Sequence, residues 1–547
     1  MKKSLLAILA LFLFAYIVPL GARPFMIPDE TRYAEVPREM LATGDWIVPR
    51  LAGVRYFEKP VLGYWLNATA LKLLGDNRFA ARLPSALSVG LTALLLLVFI
   101  RRFTGNSFTA ALAAAAFLVS PMVYAFGVFN VPDNALSLFL TAAMMSFFCA
   151  YTERRPRLRL AYLALFGGFV GLAFLTKGFL AFAVPVVAIV PFVAWERRWR
   201  DMFALPWLPI AAALVVALPW CAAIHLREPS FWHYFFWVEH VKRYASESAQ
   251  HPEPFWFFLP HLAWGILPWV AALPAAVMGW RRTDPQVPLV RFAWCWFLFP
   301  FLFFSVSAGK IPTYILPCYP PLIVLVAWGL TRYFERQGRG AFDLGCSALS
   351  VVTGVAGIVL IASQWIDRRG FRIYEPNEAC KIAIVGGGAV AWSLFLVTAA
   401  RSREAHRKAL LFCMGPALLM IGIHFIIPAE LEGKKMPGEF LAARAASIRP
   451  GSIVVSEAEL AVAACYYFKR ADVLVLNHKG ELAWGLDFDD SRGRFLTLDG
   501  LKSMVDRDSG GSRVTLVLRR DHFDRYRREL PPPAIEDSFG RFVFVQY

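Results

Sequence analysis

The 547 residues are 58% hydrophobic before glycine is counted, with a mean hydropathy of +0.50, against about 45–50% including glycine for an ordinary soluble domain. That composition excludes a soluble globular enzyme and defines an integral membrane protein. The net charge of +17 would point to nucleic acid in a soluble chain; here its first explanation is Lys and Arg held in cytoplasmic loops, and no nucleic-acid partner is expected.

The chain opens with Lys2 and Lys3 and an apolar run. It reads as a first span and not a cleaved signal, because Ala-Arg-Pro follows it without a small-x-small site. About thirteen apolar runs are long enough to cross hydrocarbon: 4–22, 84–100, 107–126, 134–151, 160–176, 178–195, 204–224, 256–279, 291–306, 312–331, 346–363, 382–400 and 409–427. Every second loop is rich in arginine, including Arg101–Arg102, Arg154 to Arg159, Arg197 to Arg200, Arg281–Arg282 and Arg401 to Lys408. Those loops face the cytoplasm, which puts the N-terminus inside and the alternate loops on the far side. The eight Cys show no CxxC pair or metal-ligand spacing and read as small buried hydrophobes.

The far-side loops hold the unusual residues. Pro28 to Asn67 is dense in charge and aromatics between two membrane segments, a place where charge usually lines a cavity or an aqueous face. Asp29 and Lys59 are its chemical poles; the plainer reading is a solvated loop. Asp133 opens a helix after Pro132, so it is either an N-terminal stabiliser or a site residue. Lys177 lies between two spans, either as a snorkelling anchor or as a cavity-facing cation. Loop 225–255 interleaves aromatics with His233, Glu239, His240, Lys242, Arg243 and His251 and reads as an interfacial amphipathic helix contacting membrane lipids. Its histidines match no HExxH-type spacing, which favours unligated interface histidines over a metal site. The GGG at 386–388 lies inside a span and reads as helix packing.

The membrane pattern stops near residue 428. β-like runs at 452–456, 472–477, 514–519 and 541–547 then alternate with helix-like stretches at 458–470, 498–506 and 521–530, which predicts a small soluble α/β domain. The expected architecture is an all-α polytopic membrane bundle over 1–428, with far-side loops 23–83 and 225–255, followed by an α/β domain over 429–547 outside the membrane. Far-side acids, phosphate-seeking cations and aromatic interfacial segments suit the transfer of a group carried on a membrane lipid. Sugar nucleotides are unavailable there, so a glycosyl donor would be a lipid phosphate whose release needs cations.

The stretches PDETRYAEVPREMLATGDWIVP, GVRYFEKPVLGYW, LTKGFLAFAVPV, REPSFWHYFFWVEHVKRYASESAQH, FFSVSAGKIPTYILP and EGKKMPGEF together resemble the aminoarabinose transferases that modify lipid A, members of the GT-C glycosyltransferase superfamily. The acidic opening is shared by GT-C enzymes at large; YFEKP and FWHYFFWVEH carry the narrower resemblance, and the match loosens after about residue 340. The resemblance implies a GT-C fold and movement of 4-amino-4-deoxy-L-arabinose from undecaprenyl phosphate to a lipid A phosphate. It places the active site on the periplasmic side of the inner membrane, with lower affinity for polymyxin and other cationic peptides as the result. It implies Asp29 as the first catalytic position and Asp133 as the second. Lys59, Arg243 and Tyr314 match positions suited to the donor phosphate, with Arg32 and Lys177 as acceptor contacts. Glu58 and His240 are a two-residue candidate for a divalent metal such as zinc, although no cofactor is required by this reading; a monomer is expected. The competing readings are another GT-C polyprenyl-phosphate-sugar transferase, of the protein O-mannosyltransferase kind, and a lipid transporter. A transporter should show internal repeats or paired broken helices at mid-membrane depth, and the sequence shows neither.

Overall fold

The structure is a computed structural model that describes residues 2–242, 252–281, 287–336, 340–364, 373–507 and 513–547. All thirteen apolar stretches fall on helices. Among the described residues nine helices are long and apolar enough to cross a membrane, or up to eleven if each of two bent pairs is one span. The bends, 59° between Ser107–Leu118 and Pro121–Gly127 and 92° between Phe258–Gly265 and Trp269–Trp280, fall beside Pro121 and Pro268, which cannot donate a helical hydrogen bond. The two remaining stretches are helices Ser4–Ile17 and Leu180–Trp195, short for a hydrocarbon core of about 30 Å at a rise of about 1.5 Å per residue. Length alone therefore supports nine to eleven spans and not thirteen full ones.

Two compact units make up the chain: Met1–Leu20 with Leu83–Arg372 and Ala379–Ile426, and Gly21–Arg82 with Ile373–Glu378 and Ile427–Tyr547. The boundary read from the sequence at residue 428 left 23–83 with the membrane helices; by contacts that stretch clusters with the C-terminal residues.

The first unit is held by close helix contacts at small residues. A Cβ at Gly167 would lie 2.1 Å from the Pro209 carbonyl oxygen, and one at Gly279 would lie 1.9 Å from that of Gly329. Backbones this near are how helices associate where apolar side chains gain nothing by leaving lipid. At Gly386 and Gly388 it is side chains, those of Ile361 and Leu419, that fill the space a Cβ would take, while Gly387 faces open space. Helix Ser107–Leu118 is capped by Asn106, whose Oδ1 accepts from the Phe108 and Thr109 amides. Within 225–255, the described part includes a π-helix, His233–Lys242. Phe231 and Phe235 are buried there while Trp237 is exposed, in keeping with an amphipathic segment.

In the second unit β1 (Arg50–Leu51) and β2 (Val54–Arg55) pair antiparallel, and six further strands form one sheet: β3 (Ile453–Ser456), β4 (Leu474–Leu476), β5 (Phe495–Leu496), β6 (Val514–Arg519), β7 (Ile535–Phe539) and β8 (Phe542–Gln546), in the order β5-β4-β3-β6-β8-β7. Pairing is parallel from β5 to β6 and antiparallel through β8 and β7. The sheet is covered on both faces. Val455, Leu516, Leu518, Val543 and Val545 pack to one side, and Val517, Phe542 and Phe544 to the other with Ile27, Leu441 and Leu460, which is why β6 and β8 read as unbroken apolar runs.

Helix Asp29–Thr43 belongs to this unit and buries three acids, Glu30, Glu35 and Glu39. It starts with Asp29 and Glu30 near the positive end of its dipole and stops at Gly44, whose left-handed backbone lets its amide reach the Met40 carbonyl. Arg38 makes two 2.7 Å bonds to Glu35, and the Gly53 amide donates to both Glu39 oxygens. Glu30 is clamped between Arg23 (Nη1 to Oε2, 2.5 Å) and Arg82 (Nε to Oε1, 2.7 Å). Burial alone would push the Glu30 carboxyl up; the two guanidiniums outweigh it and bring the pKa from 4.5 to about 2. Such a lowering contributes about 3 kcal/mol, present in full above the unfolded-state value and lost as pH falls through the folded one. Melting of the purified protein is therefore expected to drop between about pH 4.5 and 2, and Glu30→Gln should lower the melting temperature at pH 7 while flattening that acid limb. An unaltered acid limb in the variant would show that other groups set it.

Candidate active site

Asp29 stands in the first turn of its helix with its side chain 50% exposed, while the groups behind it are covered. Arg32, one turn on, faces back: its Nη1 donates to Asp29 Oδ1 at 3.0 Å and its Nη2 reaches Glu481 Oε2 at 2.6 Å. Glu481 sits in the 3-10 turn Gly480–Leu482, which Gly480 enters with a φ of +51°. Tyr56 donates its hydroxyl to the same Glu481 oxygen at 3.3 Å. Burial lifts the Glu481 carboxyl above its ordinary range; Arg32 pulls it down and Glu58 raises it further. Burial also lowers the Arg32 pKa, but Tyr56, Glu481, Tyr33 and Asp29 together hold it well above the usual guanidinium value. Tyr56 and Tyr64 are raised chiefly by burial.

Three buried polar atoms of this cluster, Arg32 Nε, Tyr64 Oη and Glu481 Oε1, have no hydrogen-bond partner among the described residues. An orphaned buried polar atom costs about 1–3 kcal/mol, so three around one half-exposed carboxylate mark a place built to receive something polar. Lys59 and Glu58 belong to the same unit. Lys59 Nζ donates to the Glu58 carbonyl at 3.0 Å and lies 4.0 Å from its carboxylate.

The first unit holds a second cluster. Lys177, the last residue of helix Pro156–Lys177, donates to Asp133 Oδ1 at 2.5 Å, both side chains being 8% exposed. The Tyr314 ring lies 5.1 Å from Lys177 Nζ, within cation–π range. Lys177 is thus no snorkelling anchor, because its ammonium turns inward to a buried carboxylate. The helix has no side-chain capping bond at its N-cap, Pro132, and the Asp133 carboxylate goes to the lysine.

The structure brings two groups of the residues named from the resemblance together, one within each unit. Arg32 joins Asp29, whereas Lys177 joins Asp133 and Tyr314. Glu481, Tyr56 and Tyr64 are absent from the sequence-based list; Glu481 lies in the region where the resemblance is loose, and no spacing signals it. Arg243 and the His240 side chain lie outside the described residues. Of the suggested metal pair, Glu58 has an ammonium facing its carboxylate, which disfavours a second cation there. Among the described residues no three His, Cys, Asp or Glu side chains gather as metal ligands.

Residues 2–235 match the family described as dolichyl-phosphate-mannose-protein mannosyltransferase, and residues 432–546 match the C-terminal domain of arabinosyl transferase ArnT. The fold is that of ArnT from Cupriavidus metallidurans solved with undecaprenyl phosphate, with a TM-score of 0.85 at 24% identity over 100% of this chain and 98% of that one. Membrane helices and an appended sheet domain on this frame are the GT-C fold of polytopic glycosyltransferases. Curated relatives narrow the class. The undecaprenyl phosphate-alpha-4-amino-4-deoxy-L-arabinose arabinosyl transferase of Aeromonas hydrophila is 37% identical over 93% of both chains, and that of Shewanella sediminis 36% identical over 100% of this chain and 98% of its own. The chain belongs to the family of undecaprenyl phosphate-aminoarabinose arabinosyl transferases.

Proposed function

We propose that the protein transfers 4-amino-4-deoxy-L-arabinose from undecaprenyl phosphate to a phosphate of lipid A, acting as a monomer at the periplasmic face of the inner membrane. The sugar C1–O bond to the donor phosphate breaks, a C1–O bond to the acceptor phosphate forms, and undecaprenyl phosphate leaves with the electron pair. The observation that carries this reading is the set of orphaned polar atoms around Asp29 and Arg32. A phosphate acceptor is already ionised near neutral pH, since its second pKa is about 6, so no strong base is needed. Asp29 instead orients Arg32 toward the acceptor or balances the donor amine. Lys59, with Arg243 and Tyr314, stabilises the departing donor phosphate, which hydrocarbon cannot solvate; Asp133 and Lys177 form the second acid–cation pair of the reaction.

A lost charge-assisted contact of this kind costs about 2–5 kcal/mol. Lys59→Ala and Arg243→Ala should each cut transfer well over tenfold, read by mass spectrometry of lipid A from a host lacking its own enzyme. Binding of undecaprenyl phosphate to the purified variants should weaken, with lipid A binding kept. Loss confined to the lipid A side would move these cations to the acceptor, and unmodified lipid A with the wild-type gene would overturn the function.

A further inference from the structure

The sheet domain of the second unit contains a cavity of about 680 Å³ lined by Arg449, Arg470, Arg494, Asp472 and Ser452, a size ordinary for small-ligand pockets. It opens at the start of β3 and β4. That is the edge opposite the one where open parallel sheets usually take ligands, so topology gives no reason for it and its side chains must.

Three arginines and one aspartate are among its lining residues. Asp472 is engaged by Arg470, through Nη2 to Oδ2 at 2.7 Å and a second bond from Nε. Arg494 has no carboxylate partner among the described residues: its Nη2 donates to the backbone carbonyls of Ala52, Ala471 and Val473 at 2.8, 2.8 and 3.0 Å. Two orphaned atoms belong to the same lining. Among the described residues the Ser452 hydroxyl has no partner, although the residue is only 2% exposed, and Arg494 Nε is buried without an acceptor. A hydroxyl and a guanidinium N–H left unmet in one basic cavity are what an anion with several acceptor oxygens satisfies. Beside them Ile448, Phe468 and Leu474 give the cavity an apolar side, which suits an anion attached to a less polar body. Gly451, with a φ of +82°, makes the turn that brings Arg449 and Ser452 to the same rim.

The geometry points to a phosphomonoester-binding site in the sheet domain, built on Arg449, Ser452 and Arg494. It is independent of the transfer reaction and uses none of the residues assigned to it. The group could be presented by a lipid headgroup or by a soluble phosphate, and the two are separable. The full-length protein in detergent is titrated with dihexanoyl phosphatidic acid, with inorganic phosphate and with dihexanoyl phosphatidylcholine, which lacks a monoester. Arg449→Gln and the cavity-filling Ser452→Leu are compared with Arg507→Gln, which loses the same charge at the end of a helix outside the cavity lining.

Phosphatidic acid is expected to bind the wild type and Arg507→Gln alike and to bind Arg449→Gln and Ser452→Leu about tenfold more weakly. Tight binding of phosphatidic acid alone assigns a lipid source; equal binding of inorganic phosphate, with the same loss in both variants, assigns a soluble one. Equal affinity across all four proteins, or binding of phosphatidylcholine as strong as of phosphatidic acid, overturns the site. Should one cavity variant fail to fold, the other decides.

Discussion

Asp29→Asn is expected to lower transfer by about 10²–10³-fold, the usual effect of removing one preorganised electrostatic group from an active site, while leaving the protein folded. The separation of the two effects follows from where Asp29 sits. Its side chain is half exposed and its one ion pair, to Arg32, lies at the surface of the cluster, a situation worth about 0–1 kcal/mol of stability. Arg32 is held from behind by Glu481, so the amide leaves the guanidinium in place and removes only the charge that aims it. Lipid A mass spectrometry and the melting temperature of the purified variant give the two readings. A well-folded Asp29→Asn protein with near wild-type transfer would take Asp29 out of the mechanism.

Lys177→Met should have the opposite balance, a large loss of stability together with loss of transfer. Its ammonium is the partner of a buried carboxylate, and removing one half of a buried pair typically costs about 3–5 kcal/mol because the other charge stays behind uncompensated. Adding Asp133→Asn removes that stranded charge. The double variant should therefore melt close to the wild type yet remain inactive, since the pair, and not the fold alone, is then what is missing. If Lys177→Met melts like the wild type, Asp133 has access to water or to another cation. If the double variant transfers normally, the pair is structural only.

Much of the fold is legible in the sequence because lipid imposes one strong rule. Every apolar run long enough to be noticed is helical, and only the lengths of Ser4–Ile17 and Leu180–Trp195 and the proline bends separate runs from full spans. In the sheet domain β6 and β8 announce themselves as VTLVLR and FVFVQ, being covered on both sides, whereas β7, IEDSF, is an exposed edge strand with no apolar alternation to read. The site was legible in part. Asp29 and Arg32 lie one helical turn apart and Asp133 opens a helix, both local patterns. Lys177 needed its partner 44 positions away to be told from an anchor, and Glu481 needed a contact nearly 450 positions away with Arg32. The burial of Glu30 and Glu39 depends on Arg82 and on the Gly53 amide, which local spacing does not place beside them, whereas Arg38 lies one helical turn from Glu35.

The second unit is assembled from pieces made at different times. Arg82 and Ile427 stand 345 positions apart, 427 less 82, and at about 5–20 residues per second the ribosome needs roughly 17 to 70 s to cover that distance. Through that interval helix Asp29–Thr43 has been synthesised without the helix Ala458–Phe468 on which it packs, and Asp76 without the Tyr466 hydroxyl that binds it. The early segment must wait with its acid-bearing face hydrated, open to chaperones and proteases, until the last fifth of the chain emerges to pack on it.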